Sequence, residues 1–185
     1  MVANLEATIE DLYRAPGKAE IVNGEIVLMS PTGAAPNYAA MEITFSLRNY
    51  CKRTKKGYPV ADNAAFHVRL PNRKSFSPDA AYHVGNWTGM KFFEGALTFA
   101  VVVRSEGDYG SAAERAMAAK RADYFAAGTL VIWDVDLLSD DVVKSYRVES
   151  PEQPKVFRRG EIADAEPAVP GWTMPVDDLF IELEN

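Results

Sequence analysis

An acid and an amine in this chain occupy positions where a charge is costly. Asp79 follows Ser77-Pro78 and opens an apolar stretch, whereas Lys120 lies in the middle of an otherwise apolar face of a predicted helix. An ammonium group in that setting must extend to the surface or meet an anion at the edge of the core. A carboxylate oxygen suits magnesium, which proteins bind through one or two carboxylates with substrate phosphate and water. Together, the two residues indicate a site that handles phosphate.

A structural role for the same two residues is the alternative. A Pro-Asp dipeptide before a strand is commonly part of a turn, because proline fixes the local backbone. Lys120 could pair with a nearby carboxylate such as Asp79 in an ordinary α/β domain. The sequence leaves both interpretations open.

Several other chemistries lack the residues that they need. The single cysteine, Cys51, excludes an internal disulfide and a multi-cysteine metal site. His67 and His83 have no third zinc-type partner nearby. Neither a Gly-x-Ser-x-Gly nucleophile turn nor a glycine-rich phosphate loop ending in Lys-Ser or Lys-Thr occurs. Serine hydrolysis and ATP hydrolysis are therefore disfavoured.

The charge of the chain allows contact with nucleic acid only locally. The net charge is −6, whereas neutralising phosphates needs clustered lysine and arginine. The best cluster runs over residues 48–56, followed by Arg69, Arg73 and Lys74. A helix C-terminus also favours cations because of its dipole, so the first cluster has a structural explanation too. Trp87, Trp133 and Trp172 could stack on bases, although Trp133 lies in a predicted buried strand and is expected in the core.

Nothing in the sequence predicts a membrane span or a secretory signal. No apolar run approaches the roughly 20 residues that cross a bilayer, and residues 1–10 lack a basic segment followed by an apolar core. We expect a cytoplasmic protein. With 185 residues and 48% hydrophobic content, we expect a single domain over residues 1–185.

The periodicity of the sequence predicts a mixed α/β fold. Asn23-Gly24 predicts a tight hairpin, and an apolar run before position 104 predicts a central strand covered on both faces. Ser111 and Glu114 form a potential capping box, and Gly128 supplies a C-terminal stop. A strand, a helix and a strand in succession imply a parallel pair. The predicted helices are 4–14, 37–54 with Asn37 as N-cap, and 112–127; the predicted strands are 19–22, 25–29, 58–60, 64–70, 79–84, 97–103 and 130–135, an edge hairpin at 142–148 and 155–159, and a closing tail at 171–180.

The order of these motifs resembles the Uma family of restriction endonucleases, within the PD-(D/E)xK nuclease superfamily. The resemblance extends over almost the whole chain, although each motif is short. The residues that carry it are the hairpin Glu20-Ile21-Val22-Asn23-Gly24-Glu25-Ile26, Met29-Ser30-Pro31-Thr32, Ser77-Pro78-Asp79, Val103-Arg104-Ser105, Asp108, Lys120, Tyr124, Gly128, Trp133-Asp134-Val135-Asp136 and the segment from Pro170-Gly171 to Leu179-Phe180.

The resemblance implies a restriction-endonuclease-like fold and a metal-dependent phosphodiesterase site. It implies a four-stranded mixed core sheet flanked by helices, with β-hairpins towards both ends of the chain. In this interpretation Asp79 is the metal ligand, Lys120 is the catalytic lysine displaced onto a helix, and Glu20 is an assisting glutamate. The implied cofactor is magnesium or manganese. The implied partner is DNA, and a homodimer is expected because cutting two strands favours paired sites.

One position departs from the family pattern at the chemistry itself. Where the family has Glu-Val-x-Ser, this chain has Val102-Val103-Arg104-Ser105, so the second metal-binding carboxylate is replaced by the isopropyl group of Val102. Asn37 likewise replaces a frequent histidine. Metal-assisted hydrolysis needs enough fixed oxygen ligands to hold the ion. The residues that could supply a replacement carboxylate are Glu20, Glu106, Asp108 and Glu114. Asp134 and Asp136 alternate at a strand end and are expected to face solvent.

Three functions therefore remain. The first is a magnesium-dependent DNA endonuclease that uses Asp79, Lys120 and Glu20. The second is a nuclease-fold protein that has lost hydrolysis and acts as a nucleic-acid-binding or interaction module. The third is an ordinary α/β domain with a structural pair between Lys120 and Asp79.

Overall fold

The chain adopts a mixed α/β arrangement in a computed structural model that describes residues 6–182. Within these residues there are three α-helices, α1 (Ile9–Tyr13), α2 (Ala34–Thr54) and α3 (Ser111–Ala127), and a 3-10 turn at Val176–Leu179. The thirteen strands of the described chain are β1 (Ala19–Val22), β2 (Glu25–Leu28), β3 (Tyr58–Ala61), β4 (Phe66–His67), β5 (Ser75–Phe76), β6 (Ala80–His83), β7 (Phe93–Glu94), β8 (Phe99–Val103), β9 (Val131–Val135), β10 (Val143–Arg147), β11 (Ser150–Phe157), β12 (Ile162–Asp164) and β13 (Thr173–Pro175).

The main sheet has six strands in the order β11-β10-β9-β8-β6-β3. β8 and β9 are parallel, as the strand, helix and strand succession predicts, and the other pairs are antiparallel. The sheet exceeds the four strands that the resemblance implied because the β10–β11 hairpin extends it beyond β9 and β3 extends it beyond β6. β8 is central, which explains why its residues are almost all apolar.

The two faces of this sheet carry different partners. Phe99, Val101 and Val103 of β8 pack in a core with α2 and the C-terminal segment. Ala100 and Val102 point to the other face, where they pack with Tyr124 of α3 and with the small sheet β5-β4-β7. The alternation follows from the two-residue period of a strand. The side chains of the adjacent residues 102 and 103 therefore face opposite sides of the sheet.

The N-terminal hairpin forms where the sequence predicts it. β1 and β2 pair in antiparallel register with Val22 opposite Glu25. Asn23 and Gly24 have φ angles of 50° and 76°, which is the pattern of a two-residue type I′ turn. This hairpin brings Glu20 to a fixed place against the rest of the fold.

The starts of the helices differ from the sequence predictions. α2 begins at Ala34 after Gly33, so the prediction of Asn37 as N-cap is wrong by one turn. The capping box at Ser111 is also wrong, because Gly110 is the N-cap of α3 and Glu114 binds Arg104 instead. A capping box does form at Thr8 and Asp11, where α1 starts later than predicted; positions 4 and 5 of that prediction lie outside the described residues. Among the helices of residues 6–182, none combines the length and hydropathy of a membrane span.

Both outer strands of the six-stranded sheet contain proline. Pro59 lies in β3, and Pro151 and Pro154 lie in β11. Proline lacks a backbone N–H, so it is tolerated in a sheet mainly at an edge. These residues fit the edge positions of the two strands.

Candidate functional site

Glu20 lies at the centre of a buried charged cluster. Its side chain is 3% exposed, and its Oε2 accepts a hydrogen bond of 2.5 Å from Arg73. Oε1 accepts the backbone N–H of Ser77 at 2.8 Å and lies 2.8 Å from Nζ of Lys120. Arg73 also donates to Asp123 of α3 at 2.8 Å. The cluster therefore ties the N-terminal hairpin to α3, and both oxygens of Glu20 are engaged.

Asp79 has a separate set of partners. Lys18 lies 2.6 Å from Oδ1 of Asp79 and 2.5 Å from Asp62, while the backbone N–H of Val103 donates to Oδ2 at 2.8 Å. Burial lowers the pKa of Lys18, but the carboxylates of Asp79 and Asp62 outweigh it and the pKa is raised. Lys18 is thus held as a cation against Asp79.

The predicted pairing of Lys120 with Asp79 does not occur. Lys120 pairs with Glu20, and Asp79 pairs with Lys18. The two residues also line different recesses. Lys120 lines a recess of about 20 Å³ with Val102, Met117, Arg121, Tyr124, Ile132 and Asp134; Asp79 lines one of about 10 Å³ with Thr32, Pro36, Asn37, Ala40, Asp62 and Val103.

Tyr124 connects the surroundings of Glu20 and Asp79. Its side chain is fully buried, and its ring stacks on Phe76 at a centroid distance of 4.0 Å. Burial raises the pKa of the Tyr124 hydroxyl well above its usual value, and the negative charges of Glu20 and Asp79 raise it further. Among the described residues the hydroxyl has no hydrogen-bond partner. Lys120 lies 5.9 Å from the centroid of the same ring and binds Glu20. Glu20 and Lys120 therefore come together beside this tyrosine, whereas Asp79 binds Lys18.

Val102 faces the Lys120 recess, at the position where the resemblance implies a carboxylate. Its register partner in the parallel strand β9 is Asp134, which lines the same recess. A carboxylate therefore does lie beside position 102, but it comes from the neighbouring strand. Asp134 is 2% exposed.

The carboxylate of Asp134 is bound by Arg104. Its Nε and Nη2 donate to the two oxygens of Asp134, both at 2.8 Å, and it also binds Glu114 of α3. Arg121 lies 3.8 Å from Asp134. Hydrogen bonds to Asp134 and then to Glu114 raise the pKa of Arg104, and the same contact lowers the pKa of Glu114. A two-point arginine contact of this kind is strong and directional.

The expectation that Asp134 and Asp136 are solvated is wrong. Both are buried, with 2% and 9% of their surface exposed. Asp136 accepts hydrogen bonds from the Tyr109 hydroxyl at 2.9 Å and from the backbone N–H of Leu138 at 3.0 Å. Each carboxylate is stabilised by hydrogen bonds, which is the condition for burying a charge.

The carboxylates of this region do not form a donor set for a divalent metal. No group of three or more His, Cys, Asp or Glu side chains in residues 6–182 is arranged to hold a metal ion. Glu20, Asp79 and Asp134 each bind a lysine or arginine of the chain itself. Magnesium needs oxygen ligands in a near-octahedral arrangement. The described residues therefore do not fit the metal that the resemblance implies.

The proposed replacement carboxylates are engaged elsewhere or lie outside the recesses. Asp108 accepts the backbone N–H of Ser105 at 2.7 Å and so closes the loop after β8. Glu114 binds Arg104, Glu106 is exposed, and neither lines a recess. None of the three restores a ligand at position 102.

The second predicted cluster of basic residues is not free to bind nucleic acid. Arg73 is buried and bound to Glu20 and Asp123, and Lys74 binds Glu6 at 2.9 Å. Arg69 is exposed. The exposed cations of residues 48–56 are thus the main basic group on the surface.

Comparisons with known proteins agree with this architecture. The family model of Uma2, described as putative restriction endonuclease, matches residues 7–177. This chain belongs to the Uma2 family. A crystal structure of a putative nuclease belonging to DUF820 from Anabaena variabilis ATCC 29413 has a TM-score of 0.71 and 15% identity, over 94% of this chain and 97% of that one. That likeness establishes the restriction-endonuclease-like fold. No curated protein matches the chain.

Within the Uma2 fold, sequence reasoning missed Lys18 and the contact between Arg104 and Asp134. Lys18 stands two residues before Glu20, and the two-residue period of a strand could have placed both on one side. Asp134 could have been found from the parallel pairing of β8 and β9, which places it beside Val102. Arg73 was assigned to DNA contact because its partners, Glu20 and Asp123, are far away in sequence.

Proposed function

We propose that this Uma2 protein binds nucleic acid with a nuclease scaffold that no longer performs metal-dependent hydrolysis. The observation that supports the proposal is the pairing of every carboxylate around the two recesses with a cation of the chain. Asp79 pairs with Lys18, Glu20 with Arg73 and Lys120, and Asp134 with Arg104. The carboxylate that would share a metal with Asp79 is replaced by Val102.

The positive charge of Lys18 also opposes metal binding at Asp79. A divalent cation at Asp79 would lie beside Lys18, whose ammonium already touches both Asp79 and Asp62. Like charges at such distances disfavour each other strongly when they are partly buried. Metal entry would therefore require Lys18 to leave, which would in turn release Asp62.

Calorimetry with magnesium or manganese, alongside incubation with plasmid DNA, tests the proposal. The natural chain is expected to give no stoichiometric metal binding and no cleavage. Position 102 lies between Val101, the register partner of Ala80, and Val103, whose backbone N–H binds Asp79. The double variant Val102→Glu with Lys18→Met therefore places a carboxylate next to Asp79 and removes the competing ammonium, so we expect it to bind the metal. Val148→Glu is a matched control because Val148 is 38% exposed and lies outside both recesses.

Stoichiometric magnesium binding by the natural chain, or plasmid cleavage that depends on metal, would overturn the proposal. If the natural chain does not bind nucleic acid in EDTA, the proposed nucleic-acid binding is wrong. If the double variant and Val148→Glu bind the metal equally, then Val102 and Lys18 are not the reason why the natural chain lacks metal binding.

A magnesium-dependent endonuclease is the second candidate function. It is favoured by the contact of 2.8 Å between Lys120 and Glu20, beside the ring of Tyr124, whose centroid lies 5.9 Å from the lysine nitrogen. In this function Asp79, Lys120 and Glu20 keep their catalytic roles on DNA. Metal-dependent cleavage that disappears in both Asp79→Ala and Lys120→Ala would support it over the first candidate.

A further inference from the structure

The C-terminal end of α2 is a concentrated basic surface on an acidic protein. Its cations are all exposed, and none makes an ion pair with any residue in the range 6–182. By contrast, most other basic clusters of the described chain are neutralised by carboxylates. The members of this surface, called the α2 basic end, are Arg48, Lys52, Arg53, Lys55 and Lys56.

An exposed aromatic group lies next to the α2 basic end. Trp87 has 66% of its surface exposed, in the loop that follows β6. Its ring centroid is 5.3 Å from that of Tyr58 and 6.4 Å from that of Phe93. A large indole left in water without an apolar enclosure is unusual on a protein that buries its two other tryptophans, Trp133 and Trp172. Trp87, Tyr58 and Phe93 are called the Trp87 platform.

The backbone holds the two groups together. Tyr58 follows Lys56 by only two residues and pairs with His83 across β3 and β6. Gly57 has a φ of 63°, and a Cβ atom added there would meet the ring of Tyr82 at 2.3 Å. Only glycine allows this close approach, so the turn after α2 is fixed against β6. The cations and the indole are therefore presented from one rigid corner.

We propose that the α2 basic end and the Trp87 platform together bind single-stranded nucleic acid. This inference rests on the proposed function and names the surface through which binding occurs. Lysine and arginine follow the phosphates, and an exposed indole stacks on an unpaired base. A duplex hides the faces of its bases in the helical stack, so it could use the cations but not Trp87. The combination therefore favours a single strand over a duplex.

The surface is distinct from both recesses. The antiparallel register places Tyr58 opposite His83 and Ala61 opposite Ala80, so the platform and Asp79 lie at opposite ends of β6. The separation along that strand is roughly 13 Å at about 3.3 Å per residue. Changes to the platform therefore leave the ion pairs of Glu20 and Asp79 intact.

Fluorescence anisotropy in EDTA tests the inference with labelled oligothymidylate of about 20 nucleotides, which exceeds the roughly 4 to 16 nucleotides that a single-strand site commonly covers. Trp87→Ala is expected to weaken binding roughly 5- to 150-fold, which corresponds to the loss of one stacked base. The double variant Lys52→Glu with Lys56→Glu is expected to weaken it as well. Leu138→Ala and Arg115→Glu are matched controls, because both residues are exposed and belong neither to α2 nor to the Trp87 platform. Quenching of tryptophan fluorescence by the strand should disappear in Trp87→Ala.

Three results of the binding assays with the variants and with a duplex would overturn the inference. They are unchanged affinity in Trp87→Ala, equal weakening by Arg115→Glu, and equal affinity for a duplex of the same length. Competition by polyglutamate as strong as that by oligothymidylate would also overturn it and would indicate an acidic protein as the partner. The anisotropy assay contains no metal, so it tests the binding surface independently of hydrolysis. Metal-dependent cleavage found in a separate assay would refute the proposed loss of hydrolysis, but it would not contradict binding at this surface. Oligonucleotide binding that ignores Trp87 would refute this surface alone.

Discussion

Glu20 has both carboxylate oxygens occupied, by Arg73 on one side and by Lys120 and the Ser77 backbone on the other. A nuclease that used this glutamate in its chemistry would need at least one oxygen free. The arrangement instead joins the N-terminal hairpin to α3 by a buried charge cluster. The residues around Glu20 therefore neutralise its charge and leave neither of its oxygens free for catalysis.

Glu20→Gln should therefore lower the free energy of unfolding substantially. The variant leaves Lys120 without its negative partner and Arg73 with Asp123 alone, and removal of one member of a buried pair costs roughly 3–5 kcal/mol. Chemical denaturation measures the change. Glu25→Gln in the same hairpin is the control, since Glu25 is exposed and has no ion pair among the described residues. Equal stability of the two variants would contradict a structural role for the cluster.

The types of the site residues could be predicted from the sequence, but their partners could not. Lys120 was singled out because a cation on an apolar stripe violates helical periodicity, which is a local signal. Its partner, Glu20, lies 100 residues earlier, and no local pattern distinguishes Glu20 from Asp79 as that partner. Pairing across the fold depends on how β1 and α3 pack, which single-sequence patterns do not specify.

Three elements, β8, β9 and α3, meet at Arg104. This arginine directly follows the last residue of β8. It donates two hydrogen bonds to Asp134 of β9 and binds Glu114 in the first turn of α3. Glu114 is therefore unavailable for a capping box, which explains why that prediction failed. Helix periods and the Asn23-Gly24 turn were predictable because they depend on neighbours in sequence, whereas the use of Glu114 at the start of α3 depends on this contact.

A double-mutant cycle of Arg104→Met and Asp134→Leu should reveal strong coupling. Each single change leaves a buried charge without its main partner, whereas the double change replaces the pair by apolar groups. We expect the double variant to be more stable than the sum of the single effects by roughly 1–3 kcal/mol in chemical denaturation.

The surface pair of Arg158 and Asp141 supplies the control cycle. These side chains are 2.7 Å apart but 57% and 39% exposed. Exposed pairs contribute under about 1 kcal/mol, so Arg158→Met and Asp141→Leu should combine almost additively. Additive behaviour of the Arg104 and Asp134 changes as well would contradict the buried contact.

The whole molecule carries a net charge of −6, yet its cations are distributed unevenly. Arg73, Arg104, Lys18 and Lys120 are bound to carboxylates, whereas the α2 basic end has no such partner among the described residues. The overall charge indicates that any contact with nucleic acid must be local. Which of the two basic clusters stays free could not be predicted, because burial of Arg73 is a property of the folded chain.

Binding to a single strand should depend on salt to a limited degree. Each neutralised phosphate contributes a slope of about −0.7 in log affinity against log salt, so five cations give at most roughly −3.5. Lys52→Glu with Lys56→Glu should make the slope shallower by at least roughly 1.4, while Trp87→Ala should leave it unchanged. Anisotropy titrations between low and moderate salt measure both slopes. A steeper slope in the natural chain would mean that cations outside the α2 basic end also contact phosphate.

The prolines of β3 and β11 have a consequence for self-assembly. Because Pro59, Pro151 and Pro154 interrupt the row of N–H donors along the outer strands, another copy cannot continue the six-stranded sheet in full register on either side. Lys155 adds a charge to the second of these borders. A homodimer, if the protein forms one, should therefore join through other parts of the surface, because extension of the six-stranded sheet by a second copy is opposed at both of its edges.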